Sequence, residues 1–206
     1  CEGGLPPVAI SCTVRDESER KKLKAWQHFK TITAHRLRVM EGCFRVGLYW
    51  QGLTHDLSKY SPTEFLIGAR FYQGIRSPNN AEREQKGYSE AWMHHKGRNR
   101  HHYEYWTDLS PETKQYESLP MPRKYLVEMV MDRRAACMTY QGKNYTDASA
   151  LTYFRNSMER NRMHPQTRQE LDYLLEMLKD QGEKATFSYI KHSVLRGKPF
   201  PWEENV

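Results

Sequence analysis

The segment "RKYLVEMVMDRRAACMTY", residues 123–140, decides the fold class because its apolar residues recur at steps of three and four. Pro122 stands directly before it, at a position that favours the first turn of a helix. The same period predicts further helices in four stretches: residues 18–46, "YSEAWMHH" (88–95), "DASALTYFRNSMER" (147–160) and "TRQELDYLLEMLK" (167–179). No alternating strand pattern is convincing, so the sequence predicts an all-α, single-domain helical bundle.

The length and composition fit one folded domain. Of the 206 residues 38% are hydrophobic and 28% charged, and no apolar run is long enough for a membrane span. The sequence predicts a loose N-terminal extension over 1–15, a helical domain over 16–182 and a C-terminal extension over 183–206 that packs on the domain. Residues 74–87 are polar and turn-rich and are predicted as a surface loop. The start at Cys1, without a charged and apolar leader, favours a cytoplasmic protein.

A His-Asp pair stands in "THDLSKYSPTEF", residues 54–65. We expect this stretch to belong to a helix that begins near Gln51. Ser61-Pro62, with Glu64 three residues after the serine, is typical of the cap and first turn of the next helix. By itself the pair is either a hydrogen-bonded corner or half of a metal site.

Histidines are concentrated in the first half of the chain, and imidazole is the commonest metal ligand in proteins. Six of the nine fall between residues 35 and 102: His35, His55, His94, His95, His101 and His102. Four of these lie around Gly97, where the helix of "YSEAWMHH" should break before it resumes near "HHYEYW" (101–106). Because adjacent helical residues differ by about 100°, either member of each neighbouring pair could face a site.

Helical phase places two more candidate ligands on buried faces. His35 lies about 20 to 40° from Val39 and Val46 around its helix, at the border of the apolar arc. Asp132 shares a face with Met129, three residues before it. A buried carboxylate must be ion-paired, protonated or bound to metal, and a salt bridge to a neighbouring arginine is the ordinary alternative.

These residues carry a resemblance to the HD-domain metalloproteins. The order of ligands is similar to their H…HD…H…H…D pattern, and "HDLSK" resembles their H-D-x-G-K signature, with Ser58 at the glycine position. The resemblance implies an all-α, HD-domain-like scaffold with one or two divalent ions, which could be Mn, Fe, Zn, Co or Mg. It implies a first metal at His35, His55, Asp56 and Asp132. For a second metal we choose His95 and His102, with His94 and His101 as competitors.

Over roughly residues 25 to 180, the sequence is also similar to an uncharacterised family of bacterial and phage proteins. The segments that carry this similarity are "HDLSKYSPTEF", "AWMHHKGRNRHHYEYW" and "MPRKYLVEMVMD". No activity is attached to that family.

The function expected from the HD resemblance is hydrolysis of a nucleotide or other small phosphorylated compound. Asp56 and Lys59 are the expected catalytic residues, and Lys59 and Arg98 are the expected phosphate contacts. Glu64 and Glu128 are either proton carriers or partners of the ligands, unless they are ordinary surface or capping glutamates. The net charge of +7 fits an anionic partner.

Three alternatives remain open at the level of sequence. A di-iron oxygenase would use the same ligands as the hydrolase. A non-catalytic helical protein would hold a structural metal whose coordination is closed by protein ligands. Nucleic acid is a less favoured partner, because His94, Asn99 and His102 are too close together for an HNH nuclease.

Overall fold

The computed structural model describes residues 9–157 and 162–203. Within them the chain forms eight α-helices and one small hairpin, which confirms the all-α prediction. The helices are α1 (Ala9–Val46), α2 (Tyr49–Thr54), α3 (Pro62–Phe71), α4 (Pro78–Lys86), α5 (Glu90–Lys96), α6 (Arg123–Gln141), α7 (Ser149–Asn156) and α8 (Pro165–His192). Strands β1 (Thr107–Leu109) and β2 (Tyr116–Ser118) pair antiparallel, with Thr107 opposite Ser118.

The core lies where α1, α6 and α8 pack together. Val39, Leu126 and Leu174, one from each of these helices, are all fully buried. The last part of the chain belongs to the same core, since Ile190 and Phe200 are also fully buried. None of the helices in the described part of the chain combines the length and apolar character that a membrane span requires.

Two helices are longer than the apolar pattern predicts. Helix α1 begins at Ala9, so residues 9–15 of the predicted loose extension are helical, and residues 1–8 lie outside the described residues. In the turn that follows, Glu17 and Lys21 form an exposed ion pair at 2.8 Å, a contact that supports a helix slightly and leaves no hydrophobic signature. Helix α8 continues to His192 across a break at Gly182, where φ is 73°. The boundary predicted at 182 therefore marks a kink.

Three other predictions of local structure were wrong. Residues 78–86, predicted as loop, form α4 because Pro78 starts the helix and Gly87 (φ 83°) ends it. This short helix buries Ala81 and Glu82, too little apolar surface to produce a period. The helix expected near 101–106 is only a 3-10 turn over Tyr103–Tyr105. The hairpin was missed because its strands have three residues each and are largely exposed.

Helices α1 and α3 approach closely at Gly68, and we expect Gly68→Ala to destabilise the protein. A Cβ at this position would lie 2.3 Å from Nε2 of His28, a buried side chain. Overpacking of this kind costs about 1–3 kcal/mol, which a urea or thermal unfolding midpoint will show. Gly97→Ala is the control, because Gly97 has φ −74° and its nearest neighbour would be 3.4 Å from the Cβ. Equal stability of the two variants would contradict this close packing of α1 on α3.

Candidate metal centre

The His-Asp pair lies in a turn, so the prediction that it belongs to a helix is wrong. Helix α2 ends at Thr54, and His55 and Asp56 connect it to a 3-10 turn over Leu57–Tyr60. Asp56 has φ 53° and ψ 24°, a left-handed conformation that is uncommon for residues other than glycine. Arg36 of α1 supports the turn, since its Nε donates a hydrogen bond to the His55 carbonyl at 2.7 Å.

The start of the next helix follows the sequence prediction. The Ser61 hydroxyl accepts a hydrogen bond from the Glu64 backbone N–H at 3.4 Å, and Pro62 occupies the first helical position of α3. This cap orients the first turn of α3 so that Glu64, which is buried, faces α5.

Four side chains from three parts of the fold converge on a first buried cluster: His35 of α1, His55, Asp56 and Asp132 of α6. His35 Nε2 lies 2.9 Å from Asp132 Oδ1, and His55 Nε2 lies 3.4 Å from Asp56 Oδ2. The structure thus brings together the four residues expected to hold a first metal.

A second cluster lies on the other side of Asp56. It comprises Asp56, His95, His101 and His102. His95 Nε2 and His101 Nε2 lie 3.2 and 3.4 Å from Asp56 Oδ1. The two histidines predicted for a second metal, His95 and His102, both belong to this cluster. His101, which was a competitor of His102, belongs to it as well.

The local backbone explains why two adjacent histidines share one cluster. His102 is extended (φ −89°, ψ 129°) and precedes the 3-10 turn, so the 100° separation of a helix does not apply. The rings of His101 and His102 lie 4.2 Å apart. In the helical pair, by contrast, His94 turns away from the cluster and its Nδ1 contacts Glu64 Oε1 at 2.6 Å.

Asp56 is shared by the two clusters and is completely buried. Its Oδ2 faces His35 and His55, whereas its Oδ1 faces His95 and His101. Asp56 could therefore offer one oxygen to a metal ion in each cluster.

The buried polar atoms of both clusters fit a cation as their common partner. Neither Asp56 oxygen has a hydrogen bond of acceptable geometry, although Lys59 Nζ forms an ion pair with Oδ2 at 2.5 Å. The Nε2 atoms of five histidines also lack a hydrogen bond: His35, His55, His95, His101 and His102. Buried polar atoms almost always have a partner, and imidazole nitrogens with carboxylate oxygens suit divalent transition metals. The residues therefore fit one or two such ions.

Two glutamates contact the Nδ1 atoms of candidate ligand imidazoles, on the side of the ring away from the clusters. Glu128 Oε1 accepts hydrogen bonds from Nδ1 of His55 at 2.9 Å and Nδ1 of His101 at 3.1 Å, so one oxygen serves a ligand of each cluster. Glu64 Oε2 contacts Nδ1 of His95 at 2.8 Å. With Nδ1 held in this way, each Nε2 is directed at the cluster.

Ser58, the departure from the HD signature, has a contact of its own. Its Oγ lies 3.2 Å from His95 Nδ1 and accepts a hydrogen bond from Asn99 Nδ2 at 2.9 Å. The serine and the asparagine thus join Glu64 in holding His95. The role of Ser58 could not be inferred from spacing, because it is 37 residues from His95, whereas Asn99 follows His95 by four residues and also donates a hydrogen bond to its carbonyl at 2.8 Å.

The electrostatics keep the two aspartates ionised, the state that binds cations. Burial alone would raise the pKa of Asp56, but the charges of His55 and Lys59 outweigh it and hold this pKa well below its ordinary value. Burial would raise the pKa of Asp132 too, but the imidazoles of His35 and His55 beside it outweigh burial and hold this pKa well below its ordinary value.

The pKa values of the imidazoles shift in different directions. Burial lowers the pKa of His102, which keeps its imidazole neutral. The charge of Asp56, by contrast, outweighs burial and raises the pKa of His55 and His95.

The two cations expected at a phosphate are placed differently. Lys59 Nζ lies 2.5 Å from Asp56 Oδ2, and its side chain is 27% exposed. Arg98 is exposed and donates a hydrogen bond to the His94 carbonyl at 3.4 Å, and its described contacts do not reach either cluster. Lys59 is therefore the cation that the structure brings to the site.

The alternative for Asp132 was a salt bridge to a neighbouring arginine, but Arg134 forms its salt bridges with other residues. Arg134 is buried and pairs with Glu183 and, at 3.2 Å, with Glu41. Asp132 contacts His35 and His55 instead.

The fold and the site together define an all-α protein with a buried cluster of histidines and carboxylates that could hold metal. The chain belongs to the family described as "Family of unknown function (DUF5662)", whose profile matches residues 24–177. This confirms the similarity to an uncharacterised family over roughly residues 25 to 180. Comparisons with curated proteins and with solved structures give no match.

Proposed function

We propose that the protein is a metal-dependent phosphohydrolase that acts on a nucleotide or another small phosphorylated compound. The observation that carries the proposal is Asp56, one buried carboxylate shared by two groups of imidazoles. The likeness of "HDLSK" and of the ligand order to HD-domain proteins supports the same activity.

A divalent ion in this site would lower the pKa of a bound water towards about 7 and polarise a phosphoryl oxygen. The protein's own contribution is to hold the ligands rigidly. Asp56 and Asp132 supply the negative charge, and Glu128 and Glu64 keep the imidazoles oriented through their Nδ1 atoms.

The accessible edge of the first cluster is where a substrate would approach. Asp132 is 16% exposed and Lys59 27%, whereas His55 and Asp56 are closed to solvent. The Lys59 ammonium can turn to a substrate anion once Asp56 has another counter-ion. Burial lowers the pKa of Lys59, but the charges of Asp56 and Asp132 outweigh this and raise it, so the side chain is cationic at neutral pH.

Metal analysis followed by a phosphatase screen tests the proposal. The purified chain, loaded with manganese, cobalt or magnesium, should hydrolyse nucleotides or a nitrophenyl phosphate ester. Turnover that needs two irons and oxygen would instead indicate an oxygenase. Bound metal without hydrolysis of any phosphoester would leave a structural metal and would contradict the proposal.

Neighbouring histidines provide a matched comparison. We expect His95→Ala to lose metal and at least about 100-fold in activity, because His95 belongs to the second cluster. His94→Ala should keep its metal and most of its activity, since His94 contacts Glu64 rather than a cluster. Elemental analysis and initial rates measure both effects. Equal metal loss in the two variants would show that the ligand assignment is wrong.

A further inference from the structure

Helix α1 carries an exposed aromatic surface whose residues belong to neither cluster of the metal centre. The rings of Trp26 and Phe29 stack, with centroids 5.6 Å apart and planes 14° apart. Trp26 is 56% exposed and Phe29 37%. The edge of Tyr60 extends this surface, since its ring centroid lies 5.8 Å from that of Phe29. Contiguous exposed rings of this kind mark an interaction site more often than isolated ones do.

The same part of α1 is strongly basic. Residues 20–38 contain seven lysines and arginines and no aspartate or glutamate. Lys22 and Lys30 stand one turn before and one turn after Trp26, within about 40° of it around the helix, and both are exposed. Lys30 Nζ lies 5.8 Å from the centroid of the Trp26 ring. We call Lys22, Trp26, Phe29, Lys30 and Tyr60 the α1 strip.

We infer that the α1 strip binds single-stranded nucleic acid. Unpaired bases stack on exposed aromatic rings whatever their sequence, and lysines beside the rings neutralise the phosphates between the bases. The strip supplies both groups on one face, with a lysine on either side of the two stacked rings along the helix. Its charge is complementary to a polyanion and to no cationic partner.

A lipid surface would need a different distribution of the same residue types. A helix that lies in a membrane interface has a broad apolar face with its cations on the opposite, polar face. In the α1 strip Lys22 and Lys30 lie on the face of the rings themselves. This placement therefore favours a single nucleic acid strand, in which phosphates and bases lie close together along the chain.

Binding of a labelled oligonucleotide tests this inference without reference to metal or hydrolysis. We expect fluorescence anisotropy to show that Trp26→Leu weakens binding of a single-stranded oligothymidylate of about 20 nucleotides by about 5- to 150-fold, the effect of losing one base–aromatic stack. Trp50→Leu is the matched control, because Trp50 is 72% exposed but lies on α2. Equal affinity of the two variants would overturn the inference.

A pair of charge variants tests the phosphate contacts. Lys22→Gln combined with Lys30→Gln should reduce the slope of log affinity against log salt by about 1.4, or 0.7 per phosphate contact. Lys184→Gln combined with Lys191→Gln removes the same charge from exposed positions on α8 and should change the slope less. Unfolding midpoints equal to that of the parent protein will confirm that all four variants fold.

Other ligands define the remaining outcomes. A duplex of the same length should bind more weakly than the single strand, because its bases are not free to stack. Equal binding of the duplex would contradict the stacking role of Trp26. Vesicles of phosphatidylserine that bind in a Trp26-dependent way, with no binding of the oligonucleotide, would assign the α1 strip to a membrane and overturn the inference.

Discussion

Asp56→Asn should abolish metal binding at both clusters. Asparagine keeps the shape of the side chain but removes the negative charge that each cluster takes from one Asp56 oxygen. We expect affinity at each position to fall by more than about 100-fold, the upper end of the loss seen when a residue behind a ligand is removed. Elemental analysis after dialysis against zinc or manganese will measure the number of ions per chain.

Asp132→Asn is the control for that experiment because Asp132 belongs to the first cluster alone. This variant should lose one ion and keep the other. An Asp56→Asn protein that still holds one tightly bound ion would show that Asp56 is not shared. Circular dichroism must be the same for both variants, so that metal loss is not a consequence of unfolding.

Glu128→Gln should weaken both metal positions together. The glutamine has no negative charge with which to hold the Nδ1–H groups of His55 and His101, one from each cluster. Loss of such a partner typically reduces metal affinity by about 10- to 100-fold. Competition titrations against a chelating indicator will give the affinity at each position.

Glu64→Gln makes the same chemical change as Glu128→Gln, but Glu64 contacts a ligand of one cluster only. Glu64 contacts His95 of the second cluster and His94, which lies outside both. We therefore expect Glu64→Gln to weaken one position and leave the other near its original affinity. If Glu128→Gln also affected a single position, the proposed link between the two clusters would be incorrect.

Helical phase was sufficient for the ligands that lie within long helices. Asp132 is flanked in α6 by residues that recur every three or four positions, and His35 lies at the edge of the apolar arc of α1, so both could be placed on inward faces. The position of Ser61 as a cap was equally predictable, because capping depends on residues three apart in sequence.

Phase could not decide among the histidines near residue 100. His95 and His94 are separated by the helix geometry of α5, but His101 and His102 follow the break at Gly97 in irregular backbone. No period relates these residues to the helix before them, so the sequence left either member of each pair possible. The tertiary fold places both His101 and His102 beside Asp56.

The sequence by itself determined the helical class and the residue types of the candidate metal site, because helix period and ligand chemistry are local properties of the chain. Only the tertiary structure decided that Asp56 serves two clusters and that Glu128 joins them. Those two facts depend on the packing of α1, α5, α6 and the His55-Asp56 turn against one another. Contacts between elements that are far apart in the sequence leave no local pattern from which they could be predicted.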